Sequence, residues 1–108
     1  MKTRGAVVDD AGAIWFRFTD ARDSYGAVVA RCELVDMPSA ARLVFEEHER
    51  RVARQELCFL EKLKNTIRGF GLRVVWEGER QGVEALDVQL FEGEVSFRLP
   101  PITSEPAW

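Results

Sequence analysis

Residues 39–68 have the sequence SAARLVFEEHERRVARQELCFLEKLKNTIR, thirty residues without glycine or proline. Ser39 follows Pro38 and is a residue type that caps helix N-termini, and Gly69 and Gly71 follow where a helix would end. At about 1.5 Å per residue, one continuous helix would form a rod of roughly 45 Å. A chain of this size folds to a radius of gyration of about 13 Å. We therefore expect the rod to bend, to extend beyond its domain, or to pack on a second copy.

One side of this predicted helix is apolar. At about 100° per residue, a single stripe collects most of the large apolar residues, and we expect that stripe to lie on a sheet. The stripe is interrupted near Gln55 and Glu56, where we expect a bend if the helix is not straight. Its members are Ala41, Phe45, His48, Val52, Phe59, Leu63 and Ile67.

Alternating apolar and polar residues predict strands on both sides of the helix. Strands are predicted over 4–8, 13–19 and 27–36 before it, with residues 20–26 as a polar loop, and over 72–77 after it. The last two strands form a predicted hairpin, because apolar and polar faces agree across a two-residue turn. That register pairs Leu90 with Val95, Val88 with Phe97, Leu86 with Leu99 and Asp87 with Arg98 across a turn at Glu92-Gly93.

These elements predict an α+β fold. A curved, mostly antiparallel sheet of five or six strands, in the order βββαβββ, packs on one long helix. Six strands at about 4.8 Å spacing span roughly 29 Å, whereas a helix is about 10–12 Å wide. The sheet must therefore wrap the helix as a half-barrel, or a second subunit must cover the remainder. We expect a single domain over residues 1–99 and an extended tail over residues 100–108.

The composition is that of a soluble globular protein. Hydrophobic residues make up 46% and charged residues 31% of the chain, with a formal net charge of −3. The negative balance argues against a dedicated nucleic-acid binder, whose affinity comes mainly from neutralising phosphates. The N-terminus lacks the apolar region of a signal peptide, and no segment approaches the roughly 18 apolar residues of a membrane helix. We expect a cytoplasmic protein without a membrane partner.

Few residues suit metal or covalent chemistry. Cys32 and Cys58 lie in apolar surroundings, and two free buried thiols are favoured over a disulfide, which the spacing leaves open. A metal site needs three or four ligands, and one histidine with two distant cysteines does not suggest one. The sole histidine, His48, could be a general base or a pH switch, but a hydrogen-bonded group at the edge of the core is favoured. We expect no enzyme activity, no metal and no cofactor.

The least ordinary feature is a surplus of large apolar residues on surfaces that the helix does not cover. A lone exposed apolar residue needs no explanation, but several together suggest an interface, unless the sheet curls and buries them. With the overlong helix, the surplus predicts a homo-oligomer, most simply a two-fold dimer. The residues are Trp15, Val29, Val35, Val75 and Phe91 on the outer sheet face and Leu43 and Leu57 on the outer side of the helix.

Two function classes follow. The favoured one is a small non-enzymatic protein-interaction module: an adaptor, a chaperone-like subunit or an inhibitor of the immunity-protein type, with aromatic anchors at its surface. The alternative is a half-barrel that binds a small ligand or a nucleotide between the sheet and the helix. In that alternative, polar contacts would come from His48, Arg51 and Gln55 beside an aromatic wall of Phe16, Phe18 and Trp76.

Overall fold

The computed structural model of the chain describes residues 3–55 and 60–100. Within these residues the chain forms seven strands and two helices. In chain order they are β1 (Gly5–Val8), β2 (Ile14–Ser24), β3 (Ala27–Leu34), α1 (Ser39–Ala53), α2 (Leu60–Arg68), β4 (Arg73–Trp76), β5 (Val83–Glu84), β6 (Leu86–Phe91) and β7 (Glu94–Arg98).

All seven strands pair in one antiparallel sheet, in the order β5-β4-β1-β2-β3-β7-β6. The sheet curls into a half-barrel, and both helices pack together and contact β6. The predicted α+β class and curved antiparallel sheet are confirmed. The strand count is higher than predicted because Val83–Glu84 forms a short strand beside β4.

The segment 39–68, predicted as one long helix, forms two helices in the structure. The break lies near Gln55, where the gap in the apolar stripe predicts a bend. α1 ends at Ala53, and Gln55 has a φ of +57°, a left-handed conformation that cannot continue a helix. Residues 56–59 lie outside the described residues, and α2 begins at Leu60. Two short helices fit the width of the domain, so helix length no longer requires a second copy. The end at Arg68 is as predicted, and Gly71, with a φ of +64°, turns the chain toward β4.

The N-terminus of α1 differs from the capping prediction. Pro38 occupies the cap position in an extended conformation, and Ser39 is already the first helical residue. No side chain caps this end, and the first helical hydrogen bond runs from the Arg42 N–H to the Pro38 carbonyl oxygen at 3.0 Å. Proline is tolerated at this position because the N–H of a cap residue takes no part in the helical hydrogen bonds.

The hairpin of β2 and β3 is longer than predicted. Residues 20–26 were predicted to form a loop, but the β2–β3 ladder continues through most of them to Ser24. The strand accommodates the polar residues by a register shift between Thr19 and Arg22, where Asp20 has a φ of +55°. The turn is only Tyr25 and Gly26, both at positive φ, the geometry that matches the twist of paired strands.

The C-terminal hairpin confirms the predicted turn and corrects half of the predicted register. Glu92 and Gly93 form the turn with φ of +49° and +80°, and Leu90 lies opposite Val95. Near the start of β6, Asp87 has a φ of +50°, and the register of the β6–β7 ladder shifts between Leu86 and Gln89. As a result Leu86 faces Arg98 rather than Leu99, and the Val88–Phe97 pair is not part of the ladder. The predicted Asp87–Arg98 ion pair is still present, with 3.9 Å between Arg98 Nε and an Asp87 carboxylate oxygen.

The core lies on the concave side of the sheet, beneath the helices. Phe18 is at its centre, with ring centroids 5.3 Å from Trp76 and 5.4 Å from Phe97. Gly5 lies between Phe18 and Trp76 in the sheet, and its missing side chain leaves room for the two rings to meet. The predicted helical stripe contributes Ala41, Phe45, His48 and Ile67 as buried residues and Val52 and Leu63 as half-buried ones; Phe59 lies outside the described residues.

Candidate functional site

The aromatic wall of the ligand-binding alternative is part of the core. Phe16, Phe18 and Trp76, its proposed aromatic wall, are 0%, 1% and 9% exposed. Phe18 and Trp76 pack edge to face against each other, and both contact Phe97. These rings therefore pack against one another, whereas the alternative needs them to face a ligand between the sheet and the helix.

The three polar residues of that alternative lie in three different environments. His48 is 2% exposed, and its Nε2 has no hydrogen-bond partner among the described residues. Arg51 is half-buried, and its Nε donates to a Glu47 carboxylate oxygen at 2.7 Å. Gln55 is exposed at the left-handed turn that follows α1. The structure does not bring these side chains together around one cavity. The hydrogen bond expected of His48 is not made by its Nε2 within the described part of the chain.

We expect His48 to make the fold sensitive to mild acid. Burial, together with the nearby Lys64 charge, holds the pKa of His48 below its ordinary value of 6.5. As the pH falls below about 6.5, the unfolded chain takes up this proton more readily than the native state, so native stability decreases. In His48→Leu, urea midpoints measured at about pH 7.5 and pH 5.5 should differ less than in the wild type. Equal pH dependence in both proteins would contradict this role of His48.

Trp15 is in the core, which corrects its predicted place on the outer sheet face. The β1–β2 ladder pairs Val7 with Phe16 and then Val8 with Ile14, so Trp15 is an extra residue in a bulge. A bulge interrupts the alternation of side chains along a strand, and here it turns the indole inward. The ring lies 5.1 Å from Phe70, and Trp15 is 4% exposed.

Asp9 fixes the bulged segment from the preceding turn. One of its carboxylate oxygens accepts the N–H groups of Ala11 and Ala13, and the other accepts the Trp15 indole N–H, all at 2.9 Å. The hydrogen bonds from Ala13 and then from Trp15 lower the pKa of Asp9. Asp9 and Trp15 therefore form a structural unit, and the indole is not available as a surface anchor.

The outer sheet face is more polar than predicted. Its central rows pair Arg17 with Glu33 and Arg31 with Glu94. Val29 and Val75, two of the predicted interface residues, are half-buried, and Val75 lies beside Ala6 of β1. Phe91 and Val35 are each 48% exposed, but Phe91 lies at the end of β6 and Val35 in the segment that follows β3. This face does not form a contiguous apolar patch.

The outer side of α1 carries one large apolar residue of the predicted interface. Leu43 is 66% exposed there, as predicted. Leu57 lies outside the described residues. Leu43 therefore stands among the charged residues of α1, which form ion pairs such as Glu47 with Arg50 and Arg51.

A groove with an apolar floor and a charged rim lies between α1 and the C-terminal hairpin. We call it the acidic groove. Its apolar floor comes from the inner side of the sheet and from the helix: Cys32, Leu34, Phe45 and Leu90. Leu34 is 41% exposed because β7 ends before reaching it. The cavity has a volume of about 200 Å³, and its rim is formed by Arg42, Glu46, Glu49, Phe91, Glu92, Gly93 and Glu94.

Carboxylates dominate the rim of the acidic groove. Glu49 accepts the backbone N–H of Glu92 at 3.2 Å, which ties α1 to the hairpin turn. Glu46 pairs with Arg42 at 3.2 Å, and Glu94 pairs with Arg22 at 2.8 Å. Glu94 is neutralised by Arg22, which lies outside the rim. The other charged rim residues are Glu46, Glu49, Glu92 and Arg42, and their formal charges sum to −2. Ligands of opposite charge are therefore favoured here.

Cys32 lies on the floor of this groove as a free thiol, as predicted, but it is half-buried rather than buried. Burial, and then the charge of Glu94, raise the pKa of the Cys32 thiol. A thiol with a raised pKa is a poor nucleophile at neutral pH, so Cys32 behaves as a small apolar residue. Cys58 lies outside the described residues.

Sequence reasoning missed the acidic groove because its parts come from three separate segments. A usable signal was Arg42, Glu46 and Glu49, which share one side of the predicted helix next to the apolar stripe.

In residues 3–55 and 60–100, no group of three or more histidine, cysteine or acidic residues is arranged to hold a metal ion. Neither α1 nor α2 has the length and apolar character that crossing a bilayer requires. Comparisons with protein-family models, curated proteins and solved structures find no match to this chain.

Proposed function

We propose that the protein is a small, non-enzymatic protein-interaction module of the cytoplasm, an adaptor, chaperone-like subunit or inhibitor, and that the acidic groove is its contact surface. The observation that carries the proposal is the accessible apolar floor at Leu34 beside a rim of carboxylates. At about 200 Å³ the cavity is smaller than the roughly 300–1,000 Å³ typical of small-molecule sites. It is large enough for one or two side chains of a partner protein, and an inhibitor of a basic target would use such a surface.

We expect peptides selected for binding to depend on Leu34. A random peptide library, without charge bias, is selected against the wild-type domain, and the recovered sequences are tested individually by fluorescence anisotropy. Leu34→Ser should weaken their binding by about tenfold, since burying a leucine side chain contributes about 1.5–3 kcal/mol.

The matched control is Leu43→Ser, which makes the same substitution at a residue of higher exposure outside the groove. Its binding should equal that of the wild type. Selection that yields no binders, or binders that lose affinity equally in both variants, would contradict the acidic groove as the contact surface.

The homodimer stays a prediction, and among the described residues the exposed side chain of Leu43 is compatible with it. A second copy would use Leu43 on the outer side of α1, where it is the exposed large apolar residue of that surface. Light scattering at high micromolar concentration should then give twice the 12.3 kDa mass of the chain, and Leu43→Ser should return it to the single-chain mass. A wild-type mass of 12.3 kDa would exclude the dimer and leave the groove proposal unchanged.

A further inference from the structure

We infer that the acidic groove binds an extended, cationic segment of a partner protein, which adds as a strand to the end of β3 at Leu34. The inference rests on the proposed function and specifies its partner. It combines two observations: backbone groups of β3 that no strand pairs, and the charge of the surrounding rim.

The β3–β7 ladder ends before β3 does. Its last pair is Arg31 with Glu94, and one further hydrogen bond runs from the Cys32 N–H to the Gly93 carbonyl oxygen at 3.0 Å. The hairpin then turns away at Glu92-Gly93, whereas β3 continues to Leu34.

Leu34 is a residue of β3 whose backbone has no β7 partner. In an antiparallel ladder, the N–H and C=O groups of alternate residues point to the same side. Leu34 is two residues beyond Cys32, so its N–H and C=O point to the side of β7, where no β7 residue lies opposite. Val35, the next residue, instead donates its N–H to the Trp15 carbonyl oxygen on the β2 side. Leu34 therefore presents a donor and an acceptor toward the groove, as strand addition requires.

The negative charge of the rim favours a positively charged segment. Glu46 and Glu92 stand on opposite sides of the groove, one on α1 and one in the hairpin turn. A segment with an apolar side chain on the floor and lysine or arginine side chains long enough to reach Glu46 and Glu92 would match both the floor and the charge of this rim. A second copy of the chain is disfavoured, because it would bring the same carboxylates and a net charge of −3.

The test uses three synthetic octapeptides measured by fluorescence anisotropy. One alternates lysine and valine, one alternates glutamate and valine, and the third is the lysine–valine peptide with its backbone nitrogens methylated at alternate residues. We expect the lysine–valine peptide to bind and the glutamate–valine peptide not to bind. Methylation should weaken binding by about tenfold, because it removes main-chain donors while retaining every side chain.

Two protein variants separate charge from general surface effects. Glu46→Gln with Glu92→Gln should weaken binding of the lysine–valine peptide by about fivefold. Glu61→Gln with Glu84→Gln makes the same charge change outside the groove and should leave binding as in the wild type. Amide exchange at Leu34 should slow on binding, with little change at Val35, whose N–H is already bonded.

Several outcomes would overturn the inference. They are equal binding of the lysine and glutamate peptides, equal binding of the methylated peptide, equal effects of the two double variants, unchanged exchange at Leu34, or no binding by any peptide. If Leu34-dependent binders still emerge from the unbiased library, the acidic groove remains the contact surface and only its partner chemistry is wrong. If neither approach yields a groove-dependent binder, the proposed function fails as well.

Discussion

Replacing Phe18 by alanine is expected to lower the free energy of unfolding by about 3–5 kcal/mol. Phe18 is 1% exposed, and its ring contacts both Trp76 and Phe97. The sheet carries these rings on three different strands, so the surrounding backbone cannot close over the space that the missing ring leaves. Chemical denaturation, followed by tryptophan fluorescence, measures the change.

The matched control is Phe91→Ala, because Phe91 is the same residue type at 48% exposure. We expect it to cost under about 1 kcal/mol. Domains of this kind are stable by only about 5–15 kcal/mol, so Phe18→Ala should leave a small margin of stability at ambient temperature. A similar loss in the two variants would mean that the Phe18–Trp76–Phe97 cluster does not form the centre of the core.

Replacing Gly5 by alanine is expected to destabilise the fold by about 1–3 kcal/mol or more. A Cβ at this position would lie 2.6 Å from the Val75 carbonyl oxygen and 2.7 Å from Phe18 Cζ. The Phe18 ring could tilt, but the Val75 oxygen belongs to the neighbouring strand and moves only with the sheet. The thermal midpoint and the denaturant midpoint should therefore both fall.

Gly69→Ala is the control for adding one methyl group. Gly69 is not in a left-handed conformation, and the nearest atom to its added Cβ is the Thr66 oxygen at 3.3 Å. We expect a change within about 0.5 kcal/mol. The double variant Gly5→Ala with Phe18→Ala tests the cause, since Gly5→Ala should cost less once the ring is removed. If its cost is the same in both backgrounds, the ring contact is not part of the effect.

The features that depend on neighbouring residues could be predicted from the sequence. The Glu92-Gly93 turn and the Leu90–Val95 pair follow from a local match of apolar and polar faces, which one hairpin decides by itself. The end of the helical segment at Arg68 was also predictable, because glycine follows it directly. The break near Gln55 coincided with a gap in the apolar stripe, which leaves a helix there with little to pack against.

The features that depend on distant residues could not be predicted in this way. The orientation of Trp15 depends on a bulge, and the position of that bulge is fixed by Asp9 on one side and by Phe70, more than fifty residues later, on the other. Strict alternation therefore placed Trp15 on the wrong face. The acidic groove escaped for the same reason, because Leu34, Glu46 and Glu92 become neighbours only when β3, α1 and the hairpin assemble.

The two ends of the sheet determine how safely the protein can remain at high concentration. Open strand edges recruit further strands and lead to aggregation unless they are short, charged or covered. One end here is β5, only two residues long and carrying Glu84, and the other is β6, which both helices contact. The short, charged edge at β5 therefore disfavours pairing with a further sheet at that end. The end of β3 at Leu34, by contrast, lies inside the sheet order, and under the proposal above a strand added there would pair with a single residue of β3.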